Sequence, residues 1–166
     1  MLSLPQLIEE DVAVLDAALG DLITRSEATA ALVIDKGGPL IIERGNCDEF
    51  DTTTMAALAA GSYCANQAIA GLVGESDFSS VYQQGVSHSL LVQNVDDQLL
   101  LVVIFRAALS VGAIKYFAAG TTQLIAAQLA RARERAPDEG MDLVELNLAD
   151  TSSLFHRREP EQQRAV

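Results

Sequence analysis

The sequence predicts an α+β fold of order α-β-β-α-β-β-β-α, with helices packed against an antiparallel sheet. Three observations carry this. Short apolar runs recur with only a few turn residues between them, and such links force neighbouring strands to run antiparallel. One run, LLLVVIF at 99–105, is apolar without a break, as a strand covered on both faces must be. Long segments of helical period stand at both ends of this strand-rich stretch and in its middle.

The first helix is expected over residues 4–26. Ser3 and Gln6 have capping-box spacing and Pro5 falls in the first turn. Ile8, Val12, Leu15, Leu19 and Leu22 then repeat at helical spacing, with Glu9, Glu10, Asp16 and Asp21 on the other side. Two short strands follow, Ala30–Ile34 and Leu40–Ile42, flanking the turn Asp35-Lys36-Gly37-Gly38; Pro39 points to an edge position for the second. A helix is expected over Met55–Gly74, after the N-cap candidates of Asp51-Thr52-Thr53-Thr54 and before the C-terminal stop Gly74. Three strands come next: Phe78–Gln84, Ser87–Asn94 and Gln98–Phe105. Gly85-Val86 and Val95-Asp96-Asp97 are their turns. LLLVVIF belongs in the middle of the sheet, and the polar VYQQ at an edge. A last helix runs from about Ser110 to Arg135 with Ile114, Phe117, Leu124 and Ile125 as its buried stripe. Arg131, Arg133 and Arg135 oppose the negative end of its dipole, and Pro137 stops it. Residues 1–136 thus form one domain. Residues 137–166 read as a flexible acidic tail, in which 141–155 (MDLVELNLADTSSLF) carries enough apolar residues for a short strand or docking helix, with Leu154 and Phe155 a candidate docking pair.

Composition excludes several functions. The 166 residues carry a formal charge of −12, which repels phosphate backbones and anionic membranes, so no nucleic-acid partner is expected. The start, MLSLPQLIEED, has no basic n-region and no long apolar core, so it reads as neither signal nor transit peptide. Cys47 and Cys64 match no metal spacing; they read as free thiols of a cytoplasmic protein. His88 sits between Ser87 and Ser89, but adjacent strand residues point to opposite faces, so the triplet is no nucleophile and base. His156 falls in the tail. The glycine pairs lack a phosphate-loop pattern. No catalytic residue, metal or cofactor is expected.

Met55–Gly74 is the unusual segment: twenty residues without a charge. That is the length of a membrane span, but Ala and Gly dominate, Ser62, Tyr63, Asn66 and Gln67 interrupt it, and acids rather than Lys or Arg precede it, so no span is expected. On a helical wheel Met55, Leu58, Ser62, Ala65, Ile69 and Leu72 share a stripe expected to pack on the sheet. Ala57, Ala60, Gly61, Cys64, Ala68 and Gly71 fall opposite. Exposed helix positions normally take charged residues, so this small-residue face is expected to be buried against another chain, most simply a second copy. The alternative is a central helix wrapped by its own domain.

The strand-turn-strand ALVIDKGGPLIIERG, the helix MAALAAGSYCANQAIAGLVGE and the run QGVSHSLLVQNVDDQLLLVVIFRAALSVGAIKYFA, in this order and spacing, resemble the Roadblock (dynein light chain type) family and its bacterial MglB-like branch. The matching pieces cover most of residues 28–118. The resemblance implies a profilin-like sandwich with a five-stranded antiparallel sheet between helices. It also implies a homodimer in which the central helices lie side by side and the sheets join through the third strand, here Phe78, Ser80, Tyr82 and Gln84. A small Ras-like, MglA-type GTPase would dock on the paired helices, at Ala57, Ala60, Gly61, Cys64 and Ala68, with Tyr63, Asn66 and Gln67 as polar members of a neighbouring face. It implies stimulated GTP hydrolysis without a supplied arginine finger. Arg106, after the fifth strand, is the one basic residue considered for a finger, and it reads better as a solvated or ion-paired group. A scaffold that only tethers a GTPase or motor complex is the alternative function. A small-ligand sensor is a third, for which LLLVVIF and the Ala-rich helices offer little pocket.

Overall fold

A computed structural model describes residues 5–135. Its elements are α1 (Glu9–Ser26), β1 (Ala30–Asp35), β2 (Leu40–Gly45), α2 (Thr52–Leu72), β3 (Ser80–Gln83), β4 (His88–Asn94), β5 (Leu99–Arg106) and α3 (Val111–Glu134). The five strands form one antiparallel sheet in the order β2-β1-β5-β4-β3. This is the α+β, profilin-like sandwich that the sequence predicts. The acidic tail, its 141–155 segment and His156 lie outside the described residues.

β5 is the middle strand, and each of its residues from Leu99 to Phe105 is fully buried. Alternation sends Leu99, Leu101, Val103 and Phe105 to one face, where Leu15, Leu19 and Leu22 of α1 and Ile114, Ile125 and Leu129 of α3 cover them. Leu100, Val102 and Ile104 face the other way, joining Leu32 and Ile34 of β1 under Ala56, Ala59, Ala60 and Tyr63 of α2. β2 and β3 are the edges, as Pro39 and the polar VYQQ foretell.

Several boundaries move, each for a visible reason. α1 begins at Glu9 rather than near residue 4, because Ile8 is extended (φ −93°, ψ 169°) and donates its N–H to the Asp11 carboxylate at 2.9 Å. Asp11 is fully buried and also accepts from Gln128 of α3 at 2.7 Å, joining the two helices. Val12 of the expected stripe is 43 % exposed. α2 starts at Thr52, with Asp51 as N-cap accepting from the N–H and hydroxyl of Thr54 at 3.0 and 2.7 Å. Those bonds hold its carboxyl below the usual range. In α3 Leu124 is 58 % exposed, and the buried stripe runs instead through Ile114, Ala118, Ile125 and Leu129. The Asp96-Asp97 pair is a turn. The Asp96 carboxylate accepts from the N–H groups of Gln98 and Leu99 and from Arg133 of α3. Burial opposes the charge, but these donors outweigh it and lower its pKa.

β3 is shorter than expected because Phe78 is already engaged. Its N–H donates to Gln67 Oε1 at 3.0 Å. Its carbonyl accepts from Gln67 Nε2 at 3.0 Å and from the Tyr63 hydroxyl at 3.0 Å. A backbone unit so used cannot join the ladder. Gln84 likewise falls beyond the strand.

These anchors can be tested in two ways. Gln67→Ala removes both bonds to Phe78 and should lower unfolding free energy by about 1–3 kcal/mol. Asn66→Ala, which loses only a bond back to Ser62 of its own helix, should stay within ~0.5 kcal/mol. Urea titration separates them. The second test concerns alkaline pH. Burial first, then the Asp77 carboxylate, push the Tyr63 hydroxyl up to about 12. A folded-state pKa above the unfolded value of roughly 10 stabilises below pH ~10 and is lost as pH rises through the folded value. The stability advantage over Tyr63→Phe should therefore shrink between pH ~10 and about 12, measured by urea unfolding at each pH.

Candidate functional site: a charge-free helix beside an open sheet edge

α2 is 21 residues long and contains no Asp, Glu, Lys or Arg. A helix with no charge to keep it in water is usually buried all round. This one is not. Ala56, Ala59, Ala60, Tyr63 and Ala70 face the sheet and are buried. Leu58, Ile69 and Leu72, expected to pack there, are 68, 49 and 87 % exposed. The expectation that the large apolar stripe meets the sheet is therefore overturned. The sheet supplies the bulk itself, through Leu32, Ile34, Leu100, Val102 and Ile104, so the helix approaches on alanines.

Of the expected platform positions, Ala57, Gly61, Cys64 and Ala68 are exposed, and a Cβ added at Gly61 would meet nothing within 4 Å. Ala60 is different: at 2 % exposure it packs on the sheet beneath them. Tyr63, also 2 % exposed, turns inward, sharing its hydroxyl between the Phe78 carbonyl and Asp77 Oδ1 (3.3 Å), with Lys36 Nζ 5.5 Å from its ring centre. Gln67 holds Phe78. Asn66 Nδ2 donates to the Ser62 carbonyl one turn back. Tyr63 and Gln67 thus hold the α2–β3 connection, while Asn66 bonds only within its own helix.

The β3 side of α2 is open. Ser62 Oγ accepts from Gln83 Nε2 at 3.4 Å, which places the Met55-Leu58-Ser62-Ala65-Ile69-Leu72 flank toward that strand. Among the described residues β3 pairs only with β4, leaving its outer edge free. Ser80 and Tyr82 lie within this edge strand; Phe78 and Gln84 flank it. Tyr82 points to the α1/α3 face and stacks on Phe105 with ring centres 6.2 Å apart. Between helix and edge lies a groove of about 580 Å³, with Phe50, Met55, Leu58 and Leu90 as its apolar walls and Glu49 and Asp51 at its rim. Phe50 and Leu90 were not legible as members of the site. They come from distant stretches of chain, and only strand register brings them together.

Among the described residues no catalytic arrangement accompanies this surface. His88 is exposed and edge-on to Phe50 at 5.6 Å, whereas Ser89 is 1 % exposed on the opposite face of β4. Arg106 is exposed where β5 ends. Among the described residues no group of three His, Cys, Asp or Glu stands close enough to hold a metal, and no helix is long and apolar enough to cross a membrane.

Comparison with known proteins accords with this geometry. Residues 15–105, more than half of the chain, match the Roadblock/LC7 domain. No curated protein matches the sequence. Among solved structures, Myxococcus xanthus MglB is similar at 27 % identity with a TM-score of 0.72, over 79 % of this chain and 98 % of that one. An MglB described as having a tetrameric arrangement is similar at 24 % identity and TM-score 0.73, over 80 and 99 % of the two chains. The gliding protein MglB of Thermus thermophilus is similar at 24 % and 0.73, over 79 and 99 %. The family's modules are regulatory or adaptor domains rather than catalytic ones. The chain belongs to the Roadblock/LC7 domain family.

Proposed function

We propose that the protein is a cytoplasmic, homodimeric regulator of a small Ras-like, MglA-type GTPase acting in cell polarity or motility. It stimulates GTP hydrolysis by reshaping the active site of the GTPase, without supplying an arginine finger. The observation that carries this reading is α2: a surface helix without one charge, with Leu58, Ile69 and Leu72 facing water. Leaving such a face wet wastes apolar burial worth roughly 25 cal/mol per Å², and a patch of this kind marks an interaction surface.

The two open parts of α2 suit two partners. Its flank toward β3 and the unpaired edge of β3 lie on one side of the molecule, so a single second copy covers both. The outer ridge of Ala57, Gly61, Cys64 and Ala68 then lies on top of the pair. Side chains this small let a partner's loop or aromatic group approach the helix backbone. Ala60, Tyr63, Asn66 and Gln67 support the ridge from below and beside it. The likeness to Myxococcus xanthus MglB, and a relative with a tetrameric arrangement, favour self-association and a GTPase partner. The strongly acidic chain steers a partner of opposite charge toward the neutral seat.

Two measurements test this. Turnover of GTP by an MglA-type GTPase should rise when the protein is added in stoichiometric amount. Tight GTP-dependent binding with unchanged hydrolysis would leave a tethering scaffold as the better description. Gly61→Arg and Ala68→Arg place a long cation on the ridge. Each should abolish GTPase docking or pairing while shifting the melting temperature by only a few degrees, and a variant that still forms the complex normally counts against the ridge as the seat.

A further inference from the structure

We infer that the outer face of α3 is a self-association surface, on the side of the sheet away from α2. Its occupant is another copy of this chain, set antiparallel about a two-fold at Gly120, with Leu124 of each copy entering the α1–α3 groove of the other. The contact uses none of the α2 surface, so it stands apart from the homodimer reading above.

α3 has an outer face that water does not suit. Between Lys115 and Arg131 it carries no charge. Ile114, Ala118, Ile125 and Leu129 are buried against the sheet, yet Tyr116 and Leu124 remain 74 and 58 % exposed. Gly120 lies between these two, one turn from each, and a Cβ added there would meet nothing within 4 Å. A glycine inside an exposed helix destabilises it relative to alanine, and nothing in its own chain needs the space. Beside it α1 and α3 bound a groove of about 380 Å³, walled by Arg25, Phe117, Gly120 and Leu124.

The pattern is two-fold about Gly120. Tyr116 and Leu124 stand four positions to either side, and Ala113 and Ala127 stand seven. At about 100° per residue all five fall within one strip. Leu124 is turned about 40° toward the side that carries Phe117, and Tyr116 as far the other way. Arg25 of α1 lies 4.9 Å from the Phe117 ring centre, so the Leu124 side is the groove side. When a second α3 crosses antiparallel, Gly120 meets Gly120, and the backbones approach most closely there. Leu124 of each copy then drops between Gly120 and Phe117 of the other. Tyr116 takes the opposite side of the strip, over Ala127. Large groups meet small ones, and no two large groups collide.

Charge identifies the occupant as the same chain. Asp21 and Arg25 line the groove from α1, with side chains 61 and 57 % exposed and a single 3.4 Å contact between them. α1 and α3 run antiparallel, since Asp11 meets Gln128 and Arg25 meets Phe117. The midpoint of Asp21 and Arg25 therefore lies nearly level with Gly120. An acid and a base on opposite sides of a two-fold are complementary to their own image, so Asp21 of each copy meets Arg25 of the other. α3 has no acid before Glu134, so the helix crossing itself brings no carboxylates together.

Area sets the strength. Two helix flanks of about 22 Å by 10 Å offer roughly 450 Å² per copy, against the ~800 Å² per partner of a standard interface. The contact is therefore weak and depends on concentration. In chains already paired through α2 it joins pairs back to back, because α3 and α2 cover opposite faces of the sheet, and it leaves the α2 ridges open.

Sedimentation from about 10 µM to about 1 mM, with thiol linking of the same samples, tests the contact. As concentration rises, the wild type should pass from its smallest species to one of twice the mass. Asp21→Arg alone and Arg25→Asp alone each set like charges across the axis, and each should weaken this doubling about tenfold or more. The double variant Asp21→Arg, Arg25→Asp should restore it to within about threefold of wild type, a rescue that structural damage would not give. In a Cys47→Ser, Cys64→Ser background, Gly120→Cys should form a disulfide with its own copy on mild oxidation. Ala130→Cys, roughly 30 Å from its copy along antiparallel helices, should not. No doubling at the highest concentration, doubling without the Gly120→Cys link, or failure of the double variant to rescue overturns the contact. The α2 reading is judged separately by the smallest species: a pair supports it and a single copy counts against it, while the α3 contact is read as the doubling of either.

Discussion

β5 is the constraint from which the rest of the architecture follows. Seven consecutive residues, Leu99 to Phe105, are fully buried, so both faces of the sheet at its centre must be roofed. One face takes two helices, α1 and α3, which pack against each other as well as on the strands and are joined by the buried Asp11–Gln128 hydrogen bond. Among the described residues the other face takes α2 alone. A single helix on a five-stranded sheet covers its middle and leaves the β3 side bare, and that asymmetry creates the candidate site. The same strand dictates the closeness of α2: Leu100, Val102 and Ile104 rise from the sheet far enough that only alanines and one flat ring fit over them.

The connection between α2 and β3 turns this packing into a defined surface. Gln67 and Tyr63 together occupy both polar groups of the Phe78 backbone, ending the strand early and fixing the angle at which the chain leaves the helix. Without them the run from Val73 to Ser79, almost wholly exposed, would have little to hold it. Tyr63 and Gln67, polar residues of an alanine-rich helix, are thus where α2 is tied to the edge strand, and the alignment of helix with edge is inherited from them.

Much of this was legible in the chain. Element order, the central position of LLLVVIF, the two edges and the Asp51 cap are local or pairwise facts, and periodicity and turn chemistry report such facts directly. The orientation of α2 was not. Ranking its faces by side-chain size puts Leu58, Ile69 and Leu72 on the sheet, because large apolar groups normally go inside. That rule assumes the helix provides the volume of the core. Here the strands provide it, and the helix is sorted by fit: small residues inward, large ones left for another surface. Tyr63 and Gln67 escaped a size ranking for a related reason, since their burial depends on Phe78, eleven or more positions away in the chain. The groove walls Phe50 and Leu90 needed the register of β4 before they could be placed at all.

The charge distribution makes the same point from the opposite direction. α1 carries Glu9, Glu10, Asp11, Asp16 and Asp21 against Arg25, and α3 carries Lys115, Arg131, Arg133 and Glu134, while α2 carries none. A protein with a net charge of −12 has no shortage of acids with which to solubilise a helix. Their absence from the one helix that stands alone on its face is therefore informative in a way that a neutral helix in a weakly charged protein would not be. A carboxylate on the β3 flank of α2 would gain solvation in a single copy but would be stripped of water when that flank is covered, at several kcal/mol for each unpaired charge. A two-fold contact would double that cost, because every residue on it occurs twice and like charges face each other across the axis. Freedom from charge along the whole helix, rather than along one stripe, matches a helix whose flank meets another copy and whose ridge meets a third surface.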